Sequence, residues 1–104
     1  MCPSEQQYSC ACCREEMTSH HLLVSKAFNG RHGRAFLFAG PAENVILGPR
    51  EERMLMTGLH TVCDVHCRGC SEVVGWKYEG AVEPSQQYKV GKFIFEKAKL
   101  HKEF

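Results

Sequence analysis

Two Cys-x-x-Cys pairs, Cys10–Cys13 and Cys67–Cys70, lie about half the chain apart in a sequence of 104 residues. Two intervening residues let both sulfurs of a pair reach one metal ion, and four thiolates complete the tetrahedral shell that Zn²⁺ prefers. Because the pairs are distant, the metal would join two parts of a fold rather than close a small finger. The spacing predicts one structural zinc, held by Cys10, Cys13, Cys67 and Cys70.

Two neighbouring residues offer alternative ligands. Cys12 lies inside the first pair, so Cys10 and Cys12 could be the chelating residues. Cys10 with Cys13 is favoured because it repeats the spacing of the second pair. His66 adjoins the second pair, but a mixed site is less favoured when four cysteines are available. A closed shell of four thiolates has no open position for water, so the predicted site is structural and not hydrolytic.

The composition is that of one ordinary globular domain. Hydrophobic residues make up 43% of the chain and charged residues 24%, and the length suits one modest core. The net charge of +1 argues against general nucleic-acid binding, and the lysines at 97, 99 and 102 are interpreted as a solvated edge. Without a secretory signal or a membrane span of ~20 apolar residues, we expect reduced thiols in the cytosol or nucleus.

Short apolar runs separated by glycine and proline predict a mainly β fold of antiparallel strands. Strands are predicted at 21–24, 34–38, 45–47, 53–57, 59–65, 72–78 and 92–96, with a turn at 29–33 and a helical turn at 83–88. Gly48-Pro49 is expected to end the third strand, because proline cannot donate to a ladder. Residues 1–7 are predicted to be a flexible segment, 8–100 the zinc-binding domain and 101–104 a C-terminal tail.

Three residues outside the metal motif are candidates for chemistry or recognition. Trp76 is the only tryptophan, and it could pack in the core or form the wall of a ligand groove, since an indole N–H suits recognition. Gly75 before it permits a close backbone approach. His60 is interpreted as making a structural hydrogen bond. Cys63 is interpreted as a buried or bystander thiol, because the adjacent Asp64 disfavours a thiolate.

The motifs follow one another in an order that is specific as a set. They are Cys10-x-x-Cys13, Gly33-Arg34-Ala35-Phe36-Leu37-Phe38, Asn44, Gly48-Pro49, Glu51-Glu52-Arg53, Thr57-Gly58-Leu59-His60, Asp64-Val65-His66-Cys67-x-x-Cys70, Gly75-Trp76-Lys77-Tyr78 and Ser85-Gln86-x-Tyr88-Lys89-x-Gly91-Lys92. With these motifs the chain resembles the Yippee-like family of small eukaryotic zinc-binding proteins, over about residues 8–100. One residue is inserted between Leu37 and Asn44, and Cys2, Cys12 and Cys63 fall where the family places no zinc ligands.

The resemblance implies a fold and a class of function. The fold is two antiparallel sheets pinned near their apex by zinc, a β-tent-like architecture also found in the ligand-binding domain of cereblon and in methionine sulfoxide reductase B. The implied function is a non-enzymatic adaptor or subunit that binds protein partners in cell-division or ubiquitin-ligase complexes. The implied location is the nucleus and cytoplasm, including the centrosome. We expect a monomer with no specific nucleic-acid partner and no membrane partner.

The likeness to cereblon adds a second possible function, binding of a small ligand, peptide or degron. Gly75-Trp76-Lys77-Tyr78 matches a stretch of cereblon that contributes to an aromatic cage for a small imide, which makes Trp76 and Tyr78 candidate binding residues. The other cage walls have no aromatic counterpart here, so we expect an adaptable, methionine-containing groove instead of an intact cage. Its further candidate residues are Met54, Met56, His60 and Val62.

Methionine sulfoxide reduction is a remote third possibility. That chemistry needs a nucleophilic cysteine on a late strand, and the predicted strand at 92–96 contains none. Cys63 is the only remaining candidate outside the N-terminal segment and the predicted ligands. The sequence therefore predicts a protein that is not an enzyme.

Overall fold

The computed structural model describes residues 6–104, which form β-strands joined by short turns. In this part of the chain nine strands follow one another: β1 (Gln7–Cys10), β2 (Glu16–Ser19), β3 (Leu23–Gly30), β4 (Gly33–Phe38), β5 (Val45–Leu55), β6 (Gly58–Cys67), β7 (Val73–Ala81), β8 (Phe93–Glu96) and β9 (Leu100–Lys102). Three short 3₁₀ helices lie at His20–Leu22, Pro84–Lys89 and Lys97–Lys99. None of the helices in the described range is long and apolar enough to cross a membrane.

The strands form two sheets. The small sheet has the order β2-β1-β9, and the large sheet has the order β3-β4-β8-β7-β6-β5. Every neighbouring pair is antiparallel. The prediction of a mainly β, single-domain fold with two antiparallel sheets is confirmed.

The core lies on both faces of the large sheet. Between the sheets, Tyr8 of the small sheet packs edge-on against Phe38 of the large one, with ring centroids 5.4 Å apart, in a buried cluster that includes Met17. A second cluster, containing Leu37 and Tyr78, covers the opposite face. Because successive side chains of a strand point to opposite faces, β4 and β8 are apolar at every central position. This explains the compact apolar runs in the sequence.

Gly48-Pro49 does not end a strand, and that prediction is wrong. β5 runs without interruption from Val45 to Leu55, and its ladder with β6 shifts register between Leu47 and Arg50. An irregularity of this kind lets a strand include a proline, whose missing N–H needs no partner there. The segments predicted as separate strands at 45–47 and 53–57 are therefore largely one element.

The strands of the small sheet were not predicted. β1 and β2 are short, and β1 pairs with β9 from the other end of the chain, matching Ser9 with His101. The strand at 92–96 is consequently not the last one, and β9 continues past the predicted domain end at residue 100. That boundary is corrected, since a tail beginning at 101 would divide a strand. Residues 1–5 of the predicted flexible segment lie outside the described residues, and Gln7 belongs to β1.

Other predictions of local structure agree more closely. The 3₁₀ helix at Pro84–Lys89 confirms the predicted helical turn, with the proline at its first positions. The strand predicted at 21–24 begins later, because His20–Leu22 form a 3₁₀ helix, and β3 then extends to Gly30. The predicted turn consequently shrinks to the residues between Gly30 and Gly33, where Gly33 has a φ of 106°.

Candidate zinc site and Trp76 groove

The two Cys-x-x-Cys segments fold into the same turn. In the first, the N–H of Cys10 donates to the carbonyl of Glu15 and the N–H of Arg14 donates to the carbonyl of Cys10, both at 2.8 Å. The second turn repeats both bonds at 2.8 Å, with Cys67, Ser71 and Glu72 in the corresponding positions. Equal spacing in sequence thus produces equal local geometry.

The residue after each second cysteine confirms this equivalence. Arg14 and Ser71 both have a φ of 67°, in the left-handed region that residues other than glycine adopt rarely. The same positive φ at both positions indicates that each chain segment must turn back there, so that both sulfurs of the pair face one point. The two turns face each other across the gap between the two sheets.

The four sulfurs fit a zinc ion. The Sγ atoms of Cys10, Cys13, Cys67 and Cys70 all lie within 4.8 Å of one another, with 3.6 Å between Cys10 and Cys70 and 3.4 Å between Cys13 and Cys67. Tetrahedral coordination with Zn–S bonds of about 2.3 Å requires sulfur atoms about 3.8 Å apart. The geometry matches one structural zinc, as predicted. Cys12 is exposed and lies outside the cluster.

Three of the four thiols, Cys13, Cys67 and Cys70, have a raised pKa. At Cys10 burial favours the neutral thiol, but hydrogen bonds from the backbone and the neighbouring thiols outweigh burial and lower the pKa. A backbone hydrogen bond at Glu72 favours the thiolate of Cys70, but burial and the thiols of Cys10 and Cys67 outweigh it and raise the pKa of Cys70 to about 11. Zinc binding must therefore displace protons from the site. His66 lies outside the cluster of ligand atoms, and its Nδ1 is 3.2 Å from the carbonyl oxygen of Ser71.

The second feature is a groove of about 940 Å³ on the face of the large sheet that points away from the small sheet, here called the Trp76 groove. It is lined by residues of β3, β5, β6, β7 and β8, of the 3₁₀ helices at Pro84–Lys89 and Lys97–Lys99, and of the turns between these elements. Its apolar and aromatic wall consists of Phe28, Leu55, Met56, Val62, Trp76, Tyr78 and Tyr88. Trp76 lines the groove, and its half-buried ring also packs against the second core cluster.

Trp76 owes its position to the glycine before it. A Cβ atom on Gly75 would lie 1.8 Å from the carbonyl oxygen of Ile94, so only glycine allows β7 to approach β8 this closely. The indole then lies edge-on to Tyr78, with ring centroids 6.3 Å apart. The Nε1 of Trp76 is buried and makes no hydrogen bond of normal geometry among the described residues; the indole lies close enough to the Tyr78 hydroxyl to offset part of the rise in pKa that burial causes there.

His60 is the predicted binding residue that does not line the groove. It is 1% exposed and lies beside Tyr78, with ring centroids 5.3 Å apart. Its Nδ1 is 2.9 Å from the carbonyl oxygen of Gly58, which is the structural hydrogen bond that the sequence suggested. Met54 is also outside the groove, whereas Met56 and Val62 are part of its lining.

Lys89 is a groove residue that sequence reasoning missed. It is 3% exposed, and its Nζ donates to the hydroxyl of Thr57 at 3.1 Å. The ammonium also lies 5.3 Å from the ring centroids of both Phe28 and Tyr78, in cation–π contact. Burial lowers the pKa of Lys89. Its place in the matched Tyr88-Lys89 motif was the only available signal, and burial of a lysine cannot be read from sequence.

Arg53 and Asp64, both in the lining of the groove, are paired. Arg53 donates to Asp64 at 2.8 Å and to Glu51 at 3.0 Å. Burial opposes the charge of Arg53, but the two carboxylates outweigh it and raise the pKa of the guanidinium. Arg53 thus forms a network with Glu51 and Asp64, whereas Arg34 lies on another face of the molecule.

Cys63 is buried, as predicted, but its acidic neighbour is not the expected one. Its Sγ lies 3.7 Å from Oε2 of Glu79, whereas Asp64 points to the opposite face of β6 and pairs with Arg53. Burial first, and the Glu79 carboxylate second, raise the pKa of Cys63. The thiol therefore has the properties of a packed side chain and not those of a nucleophile.

These features define the class of protein before any comparison, namely a small β domain in which a four-cysteine zinc site joins two antiparallel sheets. The family model described as "Yippee zinc-binding/DNA-binding /Mis18, centromere assembly" matches residues 7–103. A yippee-like protein of Arabidopsis thaliana is 59% identical over 96 residues, covering 92% of this chain and 90% of the relative. The chain belongs to the Yippee-like family.

Two further comparisons agree with this assignment. Protein yippee-like 3 of Homo sapiens is 54% identical over 91 residues, covering 88% of this chain and 76% of the human protein. The crystal structure of the Mis18 "Yippee-like" domain superposes with a TM-score of 0.74 and covers 96% of each chain, at 19% identity. At that identity the likeness is one of fold, and function has to be argued from the site.

Proposed function

We propose that this chain is a non-enzymatic interaction module in which zinc braces the fold and the Trp76 groove receives a segment of a partner protein. The proposed role is that of an adaptor or subunit in cell-division or ubiquitin-ligase complexes, in the nucleus and cytoplasm and at the centrosome. That setting rests on the family resemblance. The binding mode rests on the groove itself.

The observation that carries the proposal is the wall of the Trp76 groove. Its volume of about 940 Å³ is at the upper end of the range for ligand pockets, which suits a peptide segment. Trp76 offers a rigid aromatic surface, and Met56 offers an adaptable one. The paired charges of Arg53 and Asp64 in the lining can supply polar specificity.

A small ligand or degron, bound in the manner of cereblon, is the second candidate function. The buried Nε1 of Trp76 favours it, because a buried donor without a well-formed hydrogen bond costs about 1–3 kcal/mol. A ligand carbonyl that reached this N–H would remove that cost. The expected sign of such binding is that a candidate imide quenches the fluorescence of the single tryptophan. The imide should also shift NMR signals of the wild type and not those of a Trp76→Phe variant.

The non-enzymatic assignment is supported by the state of the cysteines. In residues 6–104, the cysteines outside the zinc cluster are the exposed Cys12 and the buried Cys63, and the raised pKa of Cys63 disfavours attack on a sulfoxide. Incubation with free methionine sulfoxide and dithiothreitol is expected to give no turnover. Turnover that Cys63→Ser abolishes would overturn the assignment.

Partner capture with matched variants tests the proposed groove. Zinc-loaded wild type, Trp76→Ala and Met54→Ala are used as bait in eukaryotic cell extract, each shown to be folded by its NMR spectrum. Met54 is 74% exposed and outside the groove, so it controls for loss of an apolar side chain. A ligase or centrosomal complex recovered by wild type and Met54→Ala, and lost by Trp76→Ala, is expected. Equal recovery by all three would exclude the groove as the binding surface.

A further inference from the structure

A second groove, of about 490 Å³, opens where the small sheet meets the edge of the large one, here called the basic groove. It lies on the side of the large sheet opposite the Trp76 groove. Its lining comes from β1, β3, β4, β9 and the 3₁₀ helix at Lys97–Lys99. The lining residues are Tyr8, Lys26, Arg34, Phe36, Lys97, Leu100 and Lys102.

The basic groove has a strong positive charge in a protein whose net charge is only +1. Four of its seven lining residues are lysine or arginine, and none is acidic. None of these four cations takes part in an ion pair within residues 6–104. Like charges gathered without counter-ions repel one another, so the arrangement favours a negatively charged partner.

Strand alternation keeps the Glu103 carboxylate out of the groove. Tyr8 is paired with Lys102, and both side chains line the groove. Glu103, one residue further, points to the other face, where it accepts a hydrogen bond from Ser9. Glu96 is equally unavailable, because it is buried on the opposite side of the large sheet and bonds to His32.

The floor of the basic groove indicates what kind of anion fits. Phe36 and Tyr8 are only 9% and 3% exposed, and Lys26 Nζ lies 5.7 Å from the ring centroid of Phe36. Covered rings give bases no platform for stacking, which sequence-tolerant binding of single-stranded nucleic acid relies on. Leu100, half-buried at the same floor, instead offers apolar contact to a side chain.

We propose that the basic groove binds a protein segment in which an apolar side chain is flanked by aspartate or glutamate residues. The apolar side chain would contact Leu100, and the carboxylates would lie near Lys26, Arg34 and Lys97. This surface is independent of the Trp76 groove and would let one molecule hold two partner segments at once.

Titration of the zinc-loaded, ¹⁵N-labelled full chain with defined probes tests the proposal. The probe is acetyl-Glu-Glu-Phe-Glu-Glu-amide, and its controls are the same peptide with glutamine for glutamate and the same peptide with glycine for phenylalanine. A twelve-residue oligothymidine is the nucleic-acid probe. We expect saturable shifts at Lys26, Phe36 and Leu100 with the first peptide, and at least fivefold weaker binding of both control peptides.

Two double variants, each removing two positive charges, distinguish the basic groove from general attraction. Arg34→Gln with Lys97→Gln is expected to weaken binding at least fivefold, whereas Arg50→Gln with Lys92→Gln, outside both grooves, is expected to change it less than twofold. Matching NMR spectra of the free variants establish that both are folded. Equal effects of the two variants, shifts centred on the Trp76 indole, or tighter binding of oligothymidine than of the peptide would each overturn the proposal.

Discussion

The zinc site and the Trp76 groove are assembled in opposite ways. Each half of the zinc site is one local turn, repeated with the same hydrogen bonds and the same φ of 67° at Arg14 and Ser71. The groove takes its wall from five separate elements and has no repeated motif. Each half of the zinc site is therefore defined locally, while the groove depends on the position of every strand around it.

The two regions also hold the chain by different forces. At the zinc site a few covalent-like metal bonds connect β1 with the end of β6, and Cys13 is exposed to solvent. At the groove, close backbone packing at Gly75 and the buried ammonium of Lys89 hold β7 and the 3₁₀ helix in place. Stability is therefore expected to depend most strongly on the metal, and recognition on the packing of the strands around the groove.

Loss of a zinc ligand should have the largest effect. Cys67→Ser removes a fully buried sulfur, and structural zinc contributes ~10–16 kcal/mol of apparent binding energy, as much as the ~5–15 kcal/mol that stabilises a whole domain. We expect an unfolded protein that holds no zinc. Metal analysis measures the zinc content, and the chemical-shift dispersion of the NMR spectrum reports the loss of the fold. Cys12→Ser is the matched control and should remain folded. A cooperatively folded, metal-free Cys67→Ser protein would show that the groove region folds without the zinc site.

Gly75→Ala should have the next largest effect. The added Cβ would meet the carbonyl oxygen of Ile94 at 1.8 Å, so β7 and β8 must move apart. We expect a loss of about 3 kcal/mol or more in the free energy of unfolding, measured with urea at fixed free zinc. At Gly80 the nearest atom to an added Cβ is 3.6 Å away, so Gly80→Ala should cost less than about 1 kcal/mol. Equal losses at both positions would contradict the close approach.

The buried ammonium of Lys89 should make stability depend on pH. Burial lowers the pKa of Lys89 below its ordinary value of 10.5, so between the lowered pKa and 10.5 the unfolded chain keeps a proton that the folded chain has lost. The free energy of unfolding contributed by Lys89 therefore rises with pH in that window. In urea unfolding at pH 8, 9 and 10, the free energy of unfolding of the wild type should increase relative to that of Lys89→Met. Parallel curves would show that Lys89 is not desolvated.

The smallest effect is a difference in thiol reactivity. Burial and Glu79 raise the pKa of Cys63, so its thiolate fraction at pH 7.5 is small and should increase only as the pH exceeds 9. In the zinc-loaded protein, mass spectrometry should find that iodoacetamide modifies the exposed Cys12 much faster than Cys63. Glu79→Gln should accelerate the modification of Cys63, because it removes one of the two causes of the raised pKa. Equal rates at Cys12 and Cys63 would contradict the burial.

Most strands of the large sheet could be predicted from the sequence, whereas the strands of the small sheet could not. The runs at 34–38 and 92–96 are apolar on both faces, so their strand character is local and strong. β1 and β9 are short and pair across more than ninety residues, a contact that no local pattern reports. The prediction that Gly48-Pro49 ends a strand failed for a related reason, because pairing with β6 overrides the local preference of proline to end a strand.

The sequence by itself determined the zinc site, because each chelating turn lies within a few residues and two equal spacings meet one coordination geometry. Only the tertiary structure decided that Trp76 faces a groove, that His60 lies behind Tyr78, and that Lys89 is buried against two rings. It also brought Lys26 and Arg34 beside Lys97 and Lys102, converting an apparent solvated edge into one side of the basic groove. These sites combine residues distant in the chain, so they exist only once the strands have paired.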